Sequence, residues 1–269
     1  MTNYEVTLLT GRTMPSIGLG TWELTDNTAT VVATALQMGY QMIDTSGDYG
    51  TQPAVGQGLA KSGIERDKVY IVTKVEETGN AYATVVHNLK ELDLDYADLI
   101  LIHRPPANNT SEEIWRELIH AREEGVTKDI GVSNYSEDQI QSLFVATKVM
   151  PVVNQIEWSP WGWSQHMLDF CHDNNIVVQG YSPLTRGERL GETVLTTIGQ
   201  RYDKTPAQIV LRWVQQLGVI PIVKAGQLLH LEENLELDFT LSDADVIQLC
   251  SLNDTYSALG DKPAYQRYE

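Results

Sequence analysis

Short apolar runs alternate with longer amphipathic stretches along the whole chain. The runs are SIGLGT (16–21), YQMIDTS (40–46), VYIVTKV (69–75), DLILIHR (98–104), KDIGVSN (128–134), PVVNQIEW (151–158), IVVQGYS (176–182) and VIPIVK (219–224). Most are continuous in Val, Ile and Leu, the pattern of strands covered on both faces. Between them lie helix candidates such as TATVVATALQMG, AYATVVHNLKEL, SEEIWRELIHAREEG and PAQIVLRWVQQLG. Ser111, Ser136 and Thr205 stand where helices would start, with acidic residues or Pro206 just after them. Gly39, Gly63, Gly125 and Gly218 stand where helices would stop.

Eight strand–helix alternations predict a parallel α/β fold, and eight is the number that closes a (β/α)8 TIM barrel. A doubly wound open sheet is the alternative, but GLGTWE (18–23) lacks the third glycine of a phosphate fingerprint. The opening VTLLTGRTMP predicts an N-terminal β-hairpin with TGR at its turn, lying across the barrel floor. ERLGETVLTTIGQRY (188–202) predicts an added helix before the last repeat. No linker or composition break appears, so residues 1–269 are expected to form one domain. The tail after Leu252, with Tyr256, Tyr265 and Tyr268, is expected to fold over a site.

Charge narrows the function classes. The net charge is −17, from 36 acidic and 19 basic residues, which disfavours nucleic acid and anionic membrane surfaces. An anionic cofactor would need a local basic patch against that field. The two cysteines, Cys171 and Cys250, form no C-x-x-C pair, so no thiol redox motif and no metal site are expected. The first residues lack the basic flank and apolar core of a signal peptide, and no run is long enough to span a membrane. The expected location is the cytoplasm.

Four polar residues stand at or after the ends of three successive runs: Asp44, Tyr49, Lys74 and His103. In a barrel, functional groups gather at the carboxyl ends of the strands. Taken singly, Asp44 reads as a cap, Tyr49 as a loop aromatic and His103 as a core histidine. Lys74 is different, because a lysine in an apolar strand needs a partner charge. A phenol is a weak acid with an ordinary pKa of about 10, and an adjacent ammonium favours its ionised form. The set therefore points to proton delivery onto an oxygen, as in reduction of a carbonyl.

At this point the chain resembles the aldo-keto reductase superfamily, and within it the short bacterial, diketogluconate reductase-like members. The matching stretches include MPSIGLGTW (14–22), GYQMIDTSGDYG (39–50), LILIHRP (99–105), IGVSNYS (130–136), VVNQIEWSP (152–160), VVQGYSPL (177–184) and VIPIVKAGQLLHLEENLEL (219–237). The resemblance implies a TIM barrel that binds NADP(H) without a Rossmann fold and reduces aldehydes and ketones. It assigns Tyr49 as general acid, Lys74 and Asp44 as the pair that tunes it, and His103 as the group that orients the carbonyl. Ser133, Asn134 and Gln155 would hold the nicotinamide carboxamide, Tyr181 would stack on its ring, and Ser182 and Leu184 would meet the pyrophosphate. Lys224, His230, Glu233 and Asn234 match the adenosine end of the cofactor site. Trp22 and Arg104 match wall positions of the substrate pocket. Trp161, in the loop SPWGWSQ with Trp163, would form another wall, and its bland role is loop packing. The family leans towards monomers.

Two departures matter. Many relatives have Ser and Arg where this chain has Ala225 and His230, so NADPH is expected with weakened discrimination and with NAD(H) also used. Many relatives also have Trp where Arg104 stands. Arg104 would either turn to solvent or pair with an acidic neighbour, the preferred reading, or accept an anionic substrate, which would favour keto acids or their esters. Two other functions compete with the reductase. One makes Lys74 a Schiff-base lysine. The other is a non-enzymatic, cofactor-retaining member of the superfamily.

Overall fold

The computed structural model describes residues 5–24, 27–77, 79–107 and 111–260. Strands β1 (Glu5–Thr7) and β2 (Thr13–Pro15) pair antiparallel as a hairpin. Eight parallel strands then close a barrel: β3 (Gly18–Gly20), β4 (Met42–Asp44), β5 (Tyr70–Val75), β6 (Ala97–Ile102), β7 (Thr127–Ser133), β8 (Val153–Glu157), β9 (Val177–Tyr181) and β10 (Ile220–Val223). They follow chain order around the barrel, and β10 closes onto β3. All eight expected runs are strands, each trimmed by a residue or two at most ends.

Ten helices follow: α1 (Thr28–Met38), α2 (Gln52–Ser62), α3 (Ala81–Leu92), α4 (Ser111–Glu123), α5 (Glu137–Thr147), α6 (Gln165–Asp173), α7 (Thr193–Tyr202), α8 (Pro206–Gln216), α9 (Leu228–Leu235) and α10 (Asp243–Cys250), counted among the described residues. Ser136 and Thr205 are N-caps with complete capping boxes, and Thr205 is followed by Pro206 in the first turn. Ser111 is instead the first helical residue of α4, so the cap position of that helix falls outside the described residues. α7 is the extra helix expected before the last repeat.

Strand alternation explains how the site is built. On β6, Leu99 and Leu101 join the cluster inside the barrel, while Ile100 and Ile102 pack outward against helices. On β4, Met42 lies inside and Ile43 outside. On β5, Val72 lies inside and Ile71 outside. Asp44 and Lys74 therefore occupy the next inward positions, one step above the apolar floor. Gln155 on β8 and Gln179 on β9 are inward by the same count. Leu8 from the hairpin region and Met14 on β2 pack under Met42, Val72 and Leu99, which seals the lower end. Thr10 and Arg12, in the hairpin turn, also bond the buried Asp129 carboxylate at the start of β7. The hairpin thus lies across the barrel floor, as expected.

Candidate active site

The carboxyl ends of the strands open into a cleft of about 650 Å³. Asp44, Tyr49, His103, Ser133, Asn134, Gln155, Tyr181, Ser182, Leu184, Lys224, His230, Trp22 and Arg104 all line it. Lys74 lies just beneath, only 1% exposed. Its Nζ donates to Asp44 Oδ1 at 2.8 Å and to the Thr45 carbonyl at 2.9 Å, and stands 5.0 Å from the centre of the Tyr49 ring. Burial works against the Lys74 ammonium, but the Asp44 carboxylate and the Tyr49 phenol outweigh it and raise its pKa.

Tyr49 ends a single turn of 3-10 helix, Gly47–Tyr49. That turn presses on α3: a Cβ on Gly47 would come within 2.8 Å of Asn88 Oδ1, so glycine permits the approach. Asn88 in turn donates to the Lys74 carbonyl at 2.8 Å. The sequence expectation for the phenol is corrected in one respect. Burial raises the Tyr49 pKa and outweighs the opposing pull of Lys74, while the Asp44 and Asp48 charges add to the rise. The phenol is therefore held as the proton-bearing acid at neutral pH, and Lys74 limits the rise without reversing it.

His103 follows β6 and meets the Tyr49 ring edge-on, with centroids 5.7 Å apart. Its Nδ1 faces Ser46 Oγ, Glu76 Oε2 and Asp48 Oδ2, each at 3.4 Å. This leaves Nε2 as the ring nitrogen outside that group. The ligand atoms of Asp48, Glu76 and His103 lie within 4.8 Å of one another, a spacing compatible with a cation. Arg104 supplies a positive charge there: its guanidinium reaches Asp48 at 3.2 Å, Glu77 at 3.4 Å and Glu76 at 3.7 Å. Burial works against the Asp48 carboxylate, but His103, Ser46 and Arg104 outweigh it and hold its pKa below the ordinary value. Arg104 thus pairs with acidic neighbours, as preferred from the sequence. Asp48, Glu76 and Glu77 were missed as a group, although an acidic pair directly after the run that carries Lys74 is a visible signal.

The wall of the cleft formed by the ends of β7, β8 and β9 is a hydrogen-bonded relay. Gln155 Nε2 donates to Asp44 Oδ2 and to Gln179 Oε1, both at 2.8 Å. Ser133 Oγ donates to the Gln155 carbonyl at 2.7 Å, and Asn134 Nδ2 to the His103 carbonyl at 3.0 Å. Tyr181 donates to Asn134 Oδ1 at 2.8 Å. Asn134 and Ser182 hold positive φ values of 64° and 51°, and Thr185 and Arg186 repeat this at 47° and 56°. Backbone held in such sparsely populated regions clusters at ligand-binding sites. The buried Thr185 hydroxyl also has no hydrogen-bond partner among the described residues.

At the far end, Lys224, Arg186 and His230 gather in an otherwise acidic protein. Glu23 reaches Arg186 at 3.0 Å and Lys224 at 3.4 Å. A cleft of this volume that is lined by both a polar relay and basic groups fits an anionic dinucleotide. Neither Glu233 nor Asn234 lines this cleft among the residues that do. Asn234 is buried and borders a separate cavity of about 550 Å³.

The third expected wall is corrected as well. Trp161 is fully buried, donates to Glu192 at 3.1 Å and lies under the Arg189 guanidinium. Its carbonyl accepts the backbone N–H groups of Asp254 and Tyr256, so it anchors the tail instead of facing substrate. A Cβ on the next residue, Gly162, would collide with the Tyr256 carbonyl. The tail does reach the site: Leu259 lines the cleft. Tyr265 and Tyr268 lie outside the described residues.

The sequence model of the Aldo/keto reductase family matches residues 16–254. An aldo-keto reductase of Mycolicibacterium smegmatis is 36% identical over 266 residues, covering 96% of both chains. A 9,11-endoperoxide prostaglandin H2 reductase of Trypanosoma cruzi is 36% identical over 270 residues, covering 96% of this chain and 95% of its own. A crystal structure of a Bombyx mori aldo-keto reductase in complex with NADP superposes with a TM-score of 0.89 at 30% identity, covering 98% of this chain and 99% of that one. Closed barrel, inward Asp–Lys pair and similarity over nearly the full length agree, and the chain belongs to the aldo/keto reductase family.

Proposed function

We propose that this protein reduces aldehydes and ketones to alcohols with NADP(H), with Tyr49 as the general acid. The observation that carries this reading is the buried Lys74–Asp44 ion pair, 2.8 Å apart, set beside a phenol that opens on the cleft. When bound, the reduced nicotinamide supplies the hydride. The chain's own residues handle the proton and the geometry. Tyr49 donates its hydroxyl proton to the carbonyl oxygen as negative charge grows there. Lys74 stabilises the phenolate left behind, and Asp44 keeps Lys74 charged and aimed. His103 orients the carbonyl through Nε2, and Gln155 fixes Asp44 from the opposite strand.

Ser133, Asn134 and Gln155 are assigned to the carboxamide, and Tyr181 to the face of the ring. Ser182 and Leu184 are assigned to the pyrophosphate. Lys224 and His230 are assigned to the ribose phosphate. Ala225 is buried and offers no hydroxyl, and His230 is no guanidinium fork, so NADH is usable as well. Glu233 and Asn234 stay outside this assignment because the cleft does not reach them.

The Schiff-base reading is disfavoured by the same ion pair. A lysine that is 1% exposed and held as an ammonium by Asp44 is neither free nor neutral enough to attack a carbonyl. The complete cleft within one chain supports a single-domain monomer. The acidic surface, the unpaired Cys171 and Cys250, and the absence of any membrane-length apolar helix among the described residues support a cytoplasmic location.

Titration with NADPH and with NADH, followed by turnover of a simple aldehyde, tests the proposal. Binding of either cofactor with consumption of the aldehyde is expected, and Lys224→Met is expected to weaken NADPH more than NADH. Failure of both cofactors to bind would overturn it. A large NADPH preference untouched by Lys224→Met would overturn the assignment of Lys224.

A further inference from the structure

At the substrate end of the cleft, three carboxylates and one guanidinium meet. Arg104 contacts Asp48, Glu76 and Glu77 within 3.7 Å, so its positive charge is more than neutralised and the group keeps a net negative charge. Glu77 Oε2 is buried and has no hydrogen-bond partner among the described residues, and Glu76 and Glu77 stand behind Arg104, outside the cleft lining, where they contribute charge and not a contact. Asp48 and Arg104 are themselves cleft-lining residues. Asp48 directly precedes Tyr49, so this charge sits close to the reacting carbonyl.

We infer that the substrate pocket selects carbonyl compounds that carry a cationic group, such as an ammonium, over those that carry a carboxylate. The inference rests on the reductase reading and deepens it by naming the substrate class. A carboxylate entering beside Asp48 meets like charge, and Arg104 cannot rescue it without giving up three partners. A cationic group meets the net negative field of the three carboxylates and is attracted by it. These side chains are about a third exposed, so solvent screens the effect and its size depends on salt.

The test uses three para-substituted benzaldehydes of similar shape with NADPH: 4-(trimethylammonio)benzaldehyde, 4-isopropylbenzaldehyde and 4-formylbenzoate. The ratio of kcat/KM for the cation over the anion is compared between proteins, so that the intrinsic reactivity of each aldehyde and any loss of folded protein cancel. Arg104→Met, which removes the one positive charge, is expected to raise that ratio about tenfold at low salt. Glu77→Gln is expected to lower it a few-fold. In the unaltered protein added salt is expected to lower the ratio, because screening weakens a net negative pocket; a ratio that rises with salt would show that Arg104 attracts anions instead. Ratios that do not move, or that move in the opposite directions, would overturn the inference while reduction of the neutral aldehyde upheld the reductase reading. No turnover of any of the three would overturn both.

Discussion

Gln155 and Asp44, 111 residues apart in sequence, meet inside the barrel, where the Gln155 amide donates to Asp44 Oδ2 at 2.8 Å. Lys74 takes the other oxygen, Oδ1, also at 2.8 Å. The carboxylate is thereby held from two directions, and the lysine it steers is held by it. Without either partner, the buried charge on Asp44 would be left short of the interactions that make its burial tolerable.

Lys74→Met tests that dependence. It leaves a carboxylate that is 3% exposed without its cation, and the expected cost is about 3–5 kcal/mol in urea unfolding. The double variant Asp44→Asn with Lys74→Met removes both charges and is expected to recover about half of that loss. Asp44→Asn alone completes the cycle, and if the double variant is as unstable as the two single losses added together, the pair is not energetically coupled.

A second pair test lies away from the site. Asp245 on α10 accepts from Tyr202 at 2.5 Å, from Ser242 at 2.8 Å and from Arg201. Burial works against its charge, but these partners outweigh it and hold its pKa below the ordinary value. A lowered carboxyl pKa contributes stability that is fully present above the ordinary value of about 3.9 and is lost as pH falls through the lowered one. Asp245→Asn should cost about 1–3 kcal/mol at neutral pH. That gap should close in acid, as measured by denaturant midpoints across pH. A constant gap at all pH values would show that the charge is irrelevant.

Much of this was legible in the sequence because it follows from local periodicity. Short apolar runs marked every barrel strand, most of them continuous in Val, Ile and Leu, and a lysine in one of them demanded a partner that Asp44 supplies. What was not legible arises from closure of the barrel. The Gln155–Asp44 contact joins opposite strands, and Asp48, Glu76, Glu77 and Arg104 meet across three strand ends; the acidic pair was visible, but its partners were not. Trp161 and Asn234 lie away from the cleft-lining residues for a related reason. Each lies close in sequence to residues of the cleft, but the tail claims the first and the packing at the end of α9 buries the second. The Tyr49 pKa direction was missed because pattern shows a neighbouring charge and does not show desolvation.

Glu157 ties the tail to the end of β8. Ser257 donates to its Oε2 at 2.5 Å and the Ala258 N–H to its Oε1 at 2.7 Å, which sets Leu259 in the cleft. Glu157→Gln weakens a charge-assisted clamp and is expected to raise KM for an aromatic aldehyde about threefold or more. Cofactor affinity should not change. An unchanged KM would mean that the tail does not shape the substrate end.

The central claim is that Tyr49 delivers the proton and does not merely support the cleft. Tyr49→Phe removes one hydroxyl and leaves the Lys74–Asp44 pair in place. The decisive measurement is NADPH titration of this variant beside its steady-state reduction of a neutral aldehyde. With Tyr49 as the proton donor, kcat falls by about 10²–10⁴-fold while cofactor affinity stays within about twofold. Retained turnover, or equal loss of turnover and cofactor binding, would contradict it.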